Sequence, residues 1–237
     1  MRNLAAESVL LRTLLARQLP TRQRDHFRTG LDAIDDLAPN GGLWCGAIHE
    51  LLFNSAVAPP KSLALFLARA AQGATGGVIV WNDPRRELYP TAVSSAGVDL
   101  RRLILLRPRN AMQELSALAE CLRCQGVSAT VTSLNRLSDI EARRLQLAAE
   151  NGGGVGIFLR PMLKNSASHY AAATRWLVRP ALESDDTQNW NIELLHGHGG
   201  RLGLSVLLEV DRETGDVRAS APLANRPAET PPIRATA

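Results

Sequence analysis

The feature that most constrains this chain is an alternation. Between about residues 47 and 161, short continuous apolar runs trade places with segments of helical period. "AIHELLF" (47–53), "GGVIVWN" (76–82), "RLILLRP" (102–108), "VSATVTSL" (127–134) and "GVGIFLRP" (154–161) read as strands. Helices are expected from about Pro60 to Gln72, in "AMQELSALAECLRCQG" (111–126) and in "SDIEARRLQLAAENGG" (138–153), with a short one inside the loop 83–100. Strands that are apolar on both faces, joined by helical crossovers, imply an α/β fold: a mainly parallel sheet with helices on both faces.

After residue 173 the texture changes. "TRWLVRPALE", "QNWNIELLHG", "LGLSVLLEVD" and "GDVRAS" read as consecutive strands joined by polar turns. They predict antiparallel C-terminal hairpin strands appended to the parallel core. At the other end, residues 4–19 place Leu4, Leu11, Leu14 and Leu15 on one helical face before Pro20. The expected organisation is an amphipathic helix and connector over 1–24, one domain over 25–220, and a disordered tail over 221–237 rich in Pro, Ala and Thr.

Composition bounds the rest. The chain has 237 residues, of which 45% are hydrophobic but only 4% aromatic, so the core is aliphatic. Its net charge of +4 is explained by solvated arginines on helix faces, with a DNA-facing surface as the other reading. Only Lys61 and Lys164 are lysines. Cys121 and Cys124 share a helix face with no second ligand pair at zinc spacing, and "HGHGG" (196–200) reads as a turn. Neither points to a metal. No apolar signal core and no apolar run of membrane-spanning length is found, so a cytoplasmic protein without membrane association is expected.

The stretch "ELLFNSAVAPPKSLALFLARAA" (50–71) then poses the chemical question. Strand, loop and helix put Lys61 and Ser62 where a phosphate loop, G-x-x-x-x-G-K-[ST], places its lysine and hydroxyl. Counting back, Ser55 and Pro60 occupy the two glycine positions. Pro59 and Pro60 have no N–H to offer a phosphate. Losing two charge-assisted backbone bonds, at about 1.5–3 kcal/mol each, weakens triphosphate binding by orders of magnitude. Proline at a helix start is otherwise favourable, so "PPKSLALFLARAA" is a good helix opening, with Leu63, Phe66, Leu67 and Ala70 as the buried stripe.

The order of motifs carries a resemblance. Thr29-Gly30, Leu31-Asp32, Gly41-Gly42-Leu43 and Gly46 precede the first strand, and Gly97-Val98-Asp99 precedes the third. This resembles a RecA-like core over residues 27–220. The ending "WNIELLHGHGGRLGLSVLLEVDRETGDV" (190–217) is similar to that of the ImuA family, and SulA cell-division inhibitors are a weaker likeness. That resemblance implies an accessory role in SOS-type DNA repair and error-prone translesion synthesis. The implied partners are an ImuB-like Y-family polymerase homologue and an error-prone C-family polymerase, with RecA and single-stranded DNA as further candidates.

The RecA-like comparison also implies which groups have changed. The position of the water-activating glutamate holds Arg85, flanked by Asp83 and Glu87; the strand that should end in a magnesium-associated carboxylate ends in Thr132 and Ser133; the sensing glutamine is replaced by Arg160. The expectation is a non-catalytic scaffold needing no cofactor, with Lys61 and Ser62 as remnants of a nucleotide site. A DNA-stimulated ATPase and a SulA-like inhibitor stand as alternatives. The second DNA-facing loop of RecA-like folds corresponds to residues 160–174, where Arg160, Lys164, His169 and Tyr170 are the candidate DNA contacts, against the reading of an ordinary surface loop.

Overall fold

The computed structural model describes residues 25–54, 56–162, 171–181, 186–214 and 216–220. The expected N-terminal helix and C-terminal tail lie outside these residues. The described residues open with a small antiparallel pair, β1 (His26–Phe27) and β2 (Leu43–Trp44), enclosing the short helix α1 (Asp32–Asp35). The Thr-Gly/Leu-Asp motif holds this entry together. Asp35 is buried, and its Oδ1 accepts from both the amide and the hydroxyl of Thr29, at 2.8 and 2.9 Å. Gly42 has no space for a Cβ against the Phe27 carbonyl, whereas Gly41 has open space but a φ of 74°, so the double glycine meets one packing and one backbone requirement of this turn.

The main sheet follows: β3 (Ala47–Phe53), α2 (Lys61–Thr75), β4 (Val78–Asn82), α3 (Pro90–Ser95), β5 (Leu103–Leu106), α4 (Ala111–Arg123), β6 (Val127–Ser133), α5 (Asp139–Gly152), β7 (Val155–Pro161), β8 (Thr174–Pro180), β9 (Thr187–His196), β10 (Ser205–Asp211) and β11 (Val217–Ala219). The strand order is β11-β10-β9-β8-β3-β7-β6-β4-β5. β5, β4, β6, β7, β3 and β8 run parallel, and β9 to β11 continue antiparallel. β8 thus departs from the expectation that the hairpin region begins at residue 174. It pairs in parallel with β3 (Leu51 beside Trp176) and antiparallel with β9. Its apolar run serves as the last strand of the parallel core and the first of the extension.

Helices cover both faces of the sheet. α2 packs on one, in a cluster that takes in Leu51, Ile79, Val131, Ile157, Trp176, Ile192 and Leu208. α4 and α5 cover the other, around Ile48, Leu122, Leu145 and Phe158. α2 is buried more broadly than a single stripe. Leu63 and Leu67 are buried as expected, Phe66 and Ala70 only in part, and Ala64, Leu65, Ala68 and Ala71 join them. The helix lies centrally on its face of the sheet, where neighbours close on it from several sides. α5 starts with a reciprocal cap, in which the Ser138 hydroxyl accepts from the Glu141 amide and the Glu141 carboxylate accepts from the Ser138 amide. "HGHGG" is the β9–β10 turn, closed by the Arg201 amide on the Leu37 carbonyl of the entry segment.

Candidate functional site

β3 runs at the middle of the sheet, and the loop after it carries the phosphate-loop position at the carboxyl edge of the parallel strands. The loop folds back on itself. Asn54 accepts from the Ala56 amide through its side chain and from the Val57 amide through its carbonyl. The Lys61 amide, which in a working loop would turn to phosphate, donates instead to the Pro59 carbonyl at 2.7 Å. Pro60 is the N-cap of α2 and supplies no side-chain cap. Both prolines lack an N–H by covalent structure.

The lysine itself is engaged. Its Nζ lies 2.6 Å from Glu87 Oε2, and this bond is the main reason the Glu87 carboxyl titrates below the usual carboxylate range. The pair is exposed, worth about 0.2–1 kcal/mol, so a bound triphosphate would displace it readily. The missing amides are the larger obstacle, at about 3–6 kcal/mol for two, or roughly two to four decades of affinity.

Asp83 organises the loop that delivers Glu87. It is buried, and its Oδ1 accepts from the amides of Glu87 (2.8 Å) and Leu88 (3.3 Å). Arg85 is largely exposed, with its guanidinium 3.9 Å from Glu87. Of the two carboxylates flanking Arg85, Glu87 is paired with Lys61 and Asp83 gives one oxygen to backbone amides, while its buried Oδ2 has no hydrogen bond and lies 3.9 Å from Arg107. A cleft of about 540 Å³ lies over the ends of β3, β4, β6 and β7, lined by Lys61, Asn82, Asp83, Arg85, Glu114 and Ser133 among others. Thr132, at the end of β6, is buried and accepts from Asn82 Nδ2 at 2.9 Å. The next residue, Ser133, is exposed. Ser62 is also exposed.

Arg160 requires a correction. It is 5% exposed on β7, with Nη1 2.6 Å from Glu50 Oε1. Arg175 of β8 holds the other oxygen of the same carboxylate, Nε to Oε2 at 2.8 Å. A guanidinium folded into the sheet against a buried carboxylate is not a surface contact for DNA phosphate. Lys164, His169 and Tyr170 lie outside the described residues.

Two buried polar centres were not singled out from the sequence. One is the Arg160–Glu50–Arg175 group. The other runs from Trp176 Nε1, donating to Thr174 Oγ1 at 2.8 Å, through the Thr174 hydroxyl to His49 Nδ1 at 2.7 Å. His49 Nε2 then donates to the Trp44 carbonyl at 3.0 Å, and burial pushes the imidazole pKa down to about 4. The signal for both was present in "AIHELLF": two adjacent ionisable residues inside an apolar central strand must find buried partners.

Comparison with known proteins places this arrangement. Over 196 residues the chain is 32% identical to Protein ImuA of Caulobacter vibrioides, a match that spans 73% of this chain and 79% of that protein. The chain belongs to the ImuA family. Cell division inhibitor SulA of Cronobacter sakazakii is a weaker relative of this ImuA-family chain, 28% identical over 118 residues, which is 49% of this chain and 70% of that protein. Among solved structures, the RadB recombinase superposes with a TM-score of 0.63 at 12% identity, covering 81% of this chain and 98% of that one. That likeness fixes the fold as RecA-like. No protein-family model matches the chain. Among the described residues no helix is long and apolar enough to cross a membrane.

Proposed function

We propose that this ImuA-family chain is a catalytically silent RecA-like accessory protein of SOS-type mutagenesis, which supports error-prone translesion synthesis by assembling a polymerase complex. The observation that carries the reading is the phosphate-loop position. Its lysine pairs with Glu87, the lysine amide turns to Pro59, and two further amides are absent. A core that keeps the RecA-like layout while losing those donors suits assembly rather than turnover. Its partners are an ImuB-like Y-family polymerase homologue and an error-prone C-family polymerase, with RecA and single-stranded DNA as further ones. Lys61 and Ser62 are remnants of the ancestral nucleotide site.

The test is co-purification of the full chain with the polymerase homologue, with and without single-stranded DNA. Stable association supports the reading, and its absence in both conditions sinks it. SulA likeness over half of the chain supports a second reading, inhibition of cell division. Filamentation on overexpression is the outcome that only this second reading predicts.

A further inference from the structure

The carboxyl edge of the parallel sheet gathers arginines that no catalytic remnant explains. β5, β4 and β6 are neighbours at one end of the sheet. The loop after β4 carries Arg85 and Arg86, the loop after β5 carries Arg107 and Arg109, and the loop after β6 carries Arg136; all five side chains are exposed. The loops stand side by side. The Asp83 amide donates to the Leu106 carbonyl, and Asn82 bonds Thr132 across to β6. Three adjacent strands span about 10 Å between the outer two, so the five guanidiniums come from one continuous strip.

The acids and bases of this edge are engaged unequally. One oxygen of Asp83 is taken by two backbone amides and the other, without a hydrogen bond, faces Arg107; Glu87 is taken by Lys61, Glu114 by Asn82 and Glu141 by Ser138, while Asp139 also has a partner. Arg85 and Arg107 sit 3.9 Å from Glu87 and Asp83, beyond hydrogen-bond distance. Arg86, Arg109 and Arg136 have no carboxylate at ion-pair distance among the described residues. The amino ends of α4 and α5 open from two of the same loops and add their positive dipole ends to that edge.

We infer that this strip, rather than Arg160, binds the phosphate backbone of a nucleic-acid strand. Guanidiniums present a planar fork that matches phosphate oxygens. The strip is polar and cationic, as nucleic-acid interfaces are, whereas protein interfaces centre on an apolar, charge-depleted core. It rests on the part of the proposed function that names single-stranded DNA as a partner and supplies the surface for it, while polymerase association can succeed or fail without it.

The experiment is fluorescence anisotropy of a labelled oligothymidine strand and of a duplex with the full chain, across a salt series. If three to five phosphates are neutralised, the single-strand slope of log K against log salt is about −2 to −3.5, and affinity falls roughly 20- to 100-fold between about 50 and 200 mM. The variant R86Q/R109Q/R136Q shortens that slope by about 2. The charge-matched variant R101Q/R123Q/R201Q, altered at the opposite ends of these elements, leaves it unchanged. The duplex arm identifies which form of the backbone is preferred. Equal losses in both variants, an unchanged slope in the first, or binding to polyglutamate with none to nucleic acid overturns the inference.

Discussion

Replacing Arg160 with Met separates a buried structural group from a DNA contact. The Arg160 and Glu50 side chains are 6% and 2% exposed, with Nη1 and Oε1 2.6 Å apart. Removing one partner of a buried pair costs about 3–5 kcal/mol, because the other charge stays buried. Here Arg175 still holds the second Glu50 oxygen at 2.8 Å and is itself 13% exposed, so the loss falls at the lower end, about 3 kcal/mol. For a domain of this size that corresponds to a fall in Tm of roughly 6–12 °C. Urea unfolding followed by circular dichroism measures it. Glu50→Leu strands two cations and costs more than Arg160→Met, whereas the triple change to apolar residues recovers much of the loss. Unaltered stability in Arg160→Met, with a reduced salt slope for DNA, would show the residue to be a surface contact and refute the reasoning.

His49 has a folded pKa of about 4 against 6.5 for a free imidazole, so the unfolded chain binds the extra proton between those values. Stability therefore falls as pH drops from about 6.5 towards 4, by about 3 kcal/mol from this group; urea midpoints show that component in the parent and not in His49→Gln. Gly152→Ala drives a Cβ into the Leu122 carbonyl, with the Arg123 carbonyl carbon 2.7 Å away, and destabilises by about 1–3 kcal/mol. Gly73→Ala, with open space in α2, stabilises by about 0.5–1 kcal/mol, and thermal melts of the two compare them directly.

The layered fold was legible because its signals are local. Apolar runs such as "VIVWN" and "GIFLRP" and the order Thr-Gly, Leu-Asp, Gly-Gly each act within a few residues. The direction of β8 was not, since an apolar strand reads alike in a parallel and an antiparallel pair, and only its neighbours decide. Arg160 misled for a related reason: its partner Glu50 is 110 residues away, and a lone arginine ending a strand reads as exposed. At the phosphate-loop position the prolines spoke for themselves, because their missing N–H is covalent. The Lys61–Glu87 bond depends on how the Asp83 loop turns, and that turn is set by buried backbone acceptance rather than by a sequence pattern.

In the function proposed above, a RecA-like core persists without its chemistry. Steady-state ATP turnover by the purified full chain, with magnesium and saturating single-stranded DNA, tests it most directly. The expected result is phosphate release at the background rate of the buffer, unchanged by DNA. Turnover that rises with single-stranded DNA and is abolished by Lys61→Ala would contradict it.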